Sequence, residues 1–117
     1  MSEQPDLFMP RAVQVANNNS TKFPDDFLDW LPDNMHVFEA FSLEATKVLA
    51  KGITHYSAYT IVEFLRHHSA VRGSLGEWKI NNNHRPYLAR LFDLVYPERS
   101  GLFEYRVTKK VYTDMAA

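Results

Sequence analysis

The apolar positions of this chain fall into three stretches of helical period, separated by polar breaks carrying glycine or proline. From Asp33 or Asn34, either of which can cap, Val37, Phe38, Phe41, Ala45, Val48 and Leu49 recur at helical spacing. Glu39, Glu44, Lys47 and Lys51 fall mainly on the other side, and Gly52 ends the element. A second helix starts at Thr54 or Ser57 and runs to about Ala70, with a face built from Ile61, Phe64 and Leu65 that Val71 can extend. The run Arg72-Gly73-Ser74-Leu75-Gly76 then reads as a turn. In the third stretch Asn81, Asn82 and Asn83 supply N-cap candidates and Pro86 fits a first turn. Tyr87, Leu88, Leu91, Phe92 and Val95 make its face, and Pro97 and Gly101 stop it.

Two shorter stretches alternate with period two. Trp78 and Ile80 alternate with Lys79 and Asn81, and Trp78 reads as a core anchor. Leu102, Phe103, Tyr105 and Val107 alternate with Glu104, Arg106 and Thr108. The order helix, helix, strand, helix, strand predicts an α+β, mainly helical fold. The form expected is a winged-helix-like three-helix domain with short strands over residues 33–113, with a generic small α+β bundle as the competing architecture. Residues 1–32 read as a flexible acidic N-terminal arm. Val13 and Val15 alternate with polar neighbours as a short strand would, and Ala16 to Thr21 is turn-prone. Within the arm, Pro24 suits a first helical position, Asp25 and Asp26 a first turn, and Phe27, Trp30 and Leu31 share one face before Pro32.

Composition narrows the classes. The 117 residues are 45% hydrophobic and 23% charged, the balance of one globular domain. Without cysteine there is no disulfide framework, thiolate metal site or cysteine nucleophile. The apolar runs fall far short of the ~20 residues that cross a bilayer, and the first ten residues lack the pattern of a secretory signal, so a cytoplasmic protein is expected. The formal net charge of -1 hides an asymmetry. Residues 1–46 hold eight acids and two bases, a balance of -6, whereas residues 47–117 hold eleven bases and six acids, a balance of +5. This suggests either an acidic arm beside a basic binding face, or two halves that attract each other within one fold.

Candidate chemistry gathers at the start of the third helix. Asn82, Asn83, His84, Arg85, Tyr87 and Arg90, with Lys79 upstream, place amide, imidazole, guanidinium and phenol groups where peptide dipoles favour phosphate. Asn pairs bidentately with adenine and Arg with guanine in a major groove. The plainer alternative makes the asparagines caps and the arginines solvated charges. In the arm, Phe27 and Trp30 beside Asp26 and Asp29 form a candidate partner-binding surface, aromatic anchors set among acids that mimic DNA charge. Its alternative is docking on the protein's own core.

Other chemistries are weaker. His55, His67, His68 and His84 have no metal-ligand spacing, so no metal and no cofactor are expected. Glu77-Trp78-Lys79 resembles half of a metal-dependent nuclease site but lacks the upstream carboxylate on a neighbouring strand. Ser57, Ser69 and Ser74 have no nucleophile-elbow setting, and no catalytic residue is assigned.

The segments Tyr56 to His68, Gly76-Glu77-Trp78-Lys79-Ile80-Asn81-Asn82-Asn83 and Leu88 to Phe92 resemble a family of small phage- and prophage-associated proteins. The resemblance spans about His36 to Arg106. It implies a mobile-element setting, in which short proteins bind nucleic acid or obstruct a host or rival machine. The expected function is therefore non-catalytic DNA binding. The alternative is an acidic-arm interaction protein that inhibits a host or rival factor.

Overall fold

A computed structural model describes residues 9–72 and 82–103, with the side chains of residues 69–72 and 82 left aside. The expected strand at Trp78–Ile80, the Lys79 site and the chain beyond Phe103 lie outside the described residues. Among the described residues five α-helices follow in order: α1 (Arg11–Asn18), α2 (Asp25–Trp30), α3 (Met35–Ala50), α4 (Ala58–Arg72) and α5 (Arg85–Val95). Short 3-10 turns sit at Ser20–Lys22, Leu31–Asn34, Asn82–His84 and Pro97–Arg99.

The winged-helix expectation is overturned. The described residues carry no strand, and their β pairing is an isolated parallel bridge between Tyr56 and Phe103. Of the alternating stretch that starts at Leu102, the described residues are Leu102 and Phe103. Leu102 is 1% and Phe103 5% exposed, with the Phe103 ring 5.4 Å from Phe41 and 5.9 Å from Phe92. Adjacent residues both turned inward are plugs in a helical core, not the two faces of a sheet.

The amino-terminal segment also departs from its expected form. Instead of a strand at Val13 and Val15, residues 11–18 form a helix that buries Ala12, Val13 and Ala16. A period of four links Ala12 to Ala16, and Pro10 precedes the first turn with φ -57°. Asn19 closes the helix, its Nδ2 donating to the Val15 carbonyl at 2.8 Å. Phe23, Phe27 and Leu31 then join the same core as Phe38, Phe41 and Phe92. The stretch expected as a flexible arm therefore packs as part of the domain between residues 11 and 34.

The longer helices follow their sequence signals more closely. In α3, Val37, Phe38, Phe41 and Ala45 are buried as expected, while Val48 and Leu49 pack at the core's edge. Gly52 then takes φ +84°, a left-handed conformation that any side chain would strain. Ser57 rather than Thr54 caps α4, its Oγ accepting the Thr60 N–H at 3.3 Å. The buried face of α4 is Ile61, Val62 and Leu65; Phe64 stands 43% exposed and its ring tilts against His68 with centroids 4.2 Å apart. Helix α5 is the hub. It buries Leu88, Ala89, Leu91, Phe92 and Val95 and packs against α1, α3 and α4. None of the described helices is long and apolar enough to cross a membrane.

Candidate functional site

The chain that leaves α3 at Gly52 crosses to α4 through His55, Tyr56 and Ser57. The Tyr56 N–H donates to the Leu102 carbonyl at 3.0 Å, which ties this crossing to the segment after α5. With Ser57 as cap, Tyr59 falls in the first turn of α4 and faces the first turn of α5. Between the two helix starts lies an open groove of about 750 Å³. It is lined by the buried Ala89 and Phe103 and by His55, Tyr59, Arg85, Pro86 and Arg90. No Asp or Glu is among the described residues that line it.

Helical spacing explains the arginines. Arg85, Ala89 and Arg90 stand at i, i+4 and i+5, so small Ala89 lines the groove beside two long cationic side chains. The Arg85 guanidinium lies 4.5 Å from the centre of the Tyr59 ring, a cation–π distance. Tyr59 remains 53% exposed. Arg90 lies 5.8 Å from the ring centre of Tyr87 and is itself exposed. Two cations and an accessible aromatic surface, with no carboxylate among the described lining residues, suit a ligand that is anionic and in part flat.

The nucleic-acid residues predicted on α5 therefore divide. Arg85 and Arg90 come together at the groove. His84 does not: it is 4% exposed, its ring centroid 5.4 Å from Phe27 and 5.1 Å from Trp30, with Nε2 3.4 Å from Asp26 Oδ2. Tyr87 also turns away, half-buried against Phe23 at 6.2 Å and Phe27 at 5.9 Å. Asn83 is exposed in the preceding turn, and the Asn82 side chain and Lys79 lie outside what is described.

The partner surface predicted on α2 divides in the same way. Asp26 and Asp29 are exposed, but Phe27 is completely buried and Trp30 packs against the core. Phe27 stacks on Phe23 at 5.4 Å and tilts against Trp30 at 5.7 Å, so its ring is spent within the fold. Among the described residues no three His, Asp or Glu side chains gather in a metal-binding arrangement.

Tyr59 and His55 are the groove residues that motif reading missed. Tyr59 lies outside any charged run, and its partner Arg85 is 26 positions away in sequence, so nothing local joins them. The one local clue is that the Ser57 cap fixes Tyr59 in a first helical turn. Comparison with known protein families, curated proteins and solved structures finds no match for this chain.

Proposed function

We propose that this chain is a non-catalytic nucleic-acid-binding protein whose contact surface is the groove between the starts of α4 and α5. One observation carries the reading: Arg85 and Arg90 line a groove with no Asp or Glu among its described lining residues, in a chain whose net charge is -1. Guanidinium groups meet phosphate oxygens with paired donors, and such contacts supply most sequence-independent affinity for a polyanion. The phage-associated resemblance is in keeping with this use. The acidic-arm alternative is less well supported, because using Phe27 as an anchor requires α2 to leave the core.

Fluorescence anisotropy with labelled DNA tests the proposal. If both arginines meet phosphate, raising salt from about 50 mM to about 200 mM weakens single-strand binding roughly sevenfold. Arg85→Ala and Arg90→Ala each weaken binding while the circular dichroism melt stays within about 0.5 kcal/mol of wild type, since neither side chain is buried. Wild-type protein that ignores DNA at the lower salt refutes the reading.

A further inference from the structure

We infer that the groove takes a single strand rather than a duplex, with phosphates at Arg85 and Arg90 and an unpaired base stacked at Tyr59; this rests on the nucleic-acid reading above. A recognition helix must present a free convex face to enter a major groove. Helix α5 has little of one. Its Leu88, Leu91, Phe92 and Val95 are buried, its His84 and Tyr87 side is covered by the aromatic residues of α2, and its Arg85–Arg90 side lines a concave groove. A rigid duplex cannot lower its bases into such a hollow, whereas a single strand turns a base inward and leaves its phosphates at the rim.

The dimensions and chemistry agree with that occupant. A volume of about 750 Å³ lies within the range that encloses a small-molecule-sized unit. Tyr59 offers a half-exposed ring, and Arg85 at 4.5 Å holds it without covering all of it. The guanidinium plane is itself a surface on which bases stack, so the Tyr59–Arg85 pair is an aromatic-and-cationic platform assembled before the ligand arrives. Because the described lining residues include no carboxylate to accept the amino groups of bases, the site reads the presence of a base more than its identity. The expected binding is tolerant of sequence and selective for unpaired strands.

Three labelled probes of equal length separate the outcomes in anisotropy titrations: an oligothymidylate strand, a hairpin duplex, and a strand with abasic sites throughout. The oligothymidylate is expected to bind most tightly. Tyr59→Ala should weaken that binding about tenfold, leave the abasic strand unaffected and leave the salt slope unchanged, whereas Tyr59→Phe retains wild-type affinity. Arg85→Ala and Arg90→Ala should each flatten the salt slope by about 0.7. Phe64→Ala, which removes an exposed aromatic outside the groove, should change nothing. A duplex that binds as well as the oligothymidylate, or a Tyr59→Ala variant that matches wild type while the arginine variants still weaken, overturns the single-strand assignment and leaves the broader reading in place. Wild-type protein that binds none of the three overturns both.

Discussion

Replacing Phe27 by alanine tests whether the acidic amino-terminal segment belongs to the fold. Phe27 has no exposed surface, and its ring meets Phe23, Trp30, His84 and Tyr87 at centroid separations of 5.4, 5.7, 5.4 and 5.9 Å. Removing a buried phenylalanine costs about 3–5 kcal/mol, the transfer energy of the ring plus the cavity it leaves. Four aromatic neighbours push the expectation to the upper half, about 4 kcal/mol, because ring pairs contribute beyond their area. A chain of 117 residues has a stability of roughly 6–18 kcal/mol at typical values per residue, so the variant keeps its fold with a visibly lower margin. At about 4 °C per kcal/mol the melting midpoint falls by about 15 °C. Urea denaturation followed by circular dichroism measures the loss directly, and Phe27→Leu, which restores most of the volume without the ring, should recover more than half of it. A loss below about 0.5 kcal/mol for Phe27→Ala refutes the docked arrangement and restores Phe27 as a free partner anchor. Deleting residues 1–32 cannot replace this test. The deletion strips Ala12, Val13, Ala16, Phe23, Phe27 and Leu31 from the core, so lost binding would report unfolding.

The contact between His84 and Asp26 should matter less than its distance suggests. His84 is buried with Nδ1 lacking a hydrogen-bond partner, whereas Asp26 is 67% exposed, so Asp26→Asn should change stability by less than about 0.5 kcal/mol. His84→Leu, which keeps apolar volume between Phe27 and Trp30 and removes the orphan nitrogen, should cost under about 1.5 kcal/mol by urea denaturation. His84→Ala should cost at least twice as much. At Gly52 a β-carbon meets nothing within 4 Å, so Gly52→Ala isolates the backbone cost of φ +84° and should lower stability by about 1 kcal/mol in the same assay.

How far the sequence could be read depended on how local each signal was. Helices α3 and α5 were legible because period, caps and stops agree within one stretch: Asn34 to Gly52 for one, Pro86 to Pro97 for the other. The face of α4 was legible in part, since Ile61 and Leu65 were placed correctly while Phe64 and Val62 exchange roles. Four apolar residues between 61 and 65 leave the phase of a helix open by one position. At Leu102 and Phe103 the strand reading failed for the opposite reason. Leu102 and Phe103 sit in a β-prone stretch, but both are buried in the helical core, where the Phe103 ring meets Phe92 and, about 60 positions away in sequence, Phe41. The site was half legible. Arg85 and Arg90 were nameable from charge and helix position, whereas Tyr59 enters through a tertiary contact with Arg85.

Net charge also proves a poor guide to this surface. At physiological ionic strength the Debye length is about 8 Å, so exposed charges beyond one helix diameter are largely screened. What a phosphate at the groove meets is therefore the local set, Arg85 and Arg90 with no acid among the described lining residues, and not the balance of the chain. Helix α5 makes the separation. One side of its first turns, His84 and Tyr87, receives the aromatic residues of the acidic α2, and the adjoining side, Arg85, Ala89 and Arg90, opens on the groove. The described parts of the acidic and basic halves thus belong to one fold, joined at α5 chiefly by aromatic packing, while Arg85 and Arg90 line the groove on the adjoining side. Such a site gains little long-range steering from a chain of charge -1. Its affinity must come from short-range contact, which is why the ring of Tyr59 carries as much of the proposed function as either arginine.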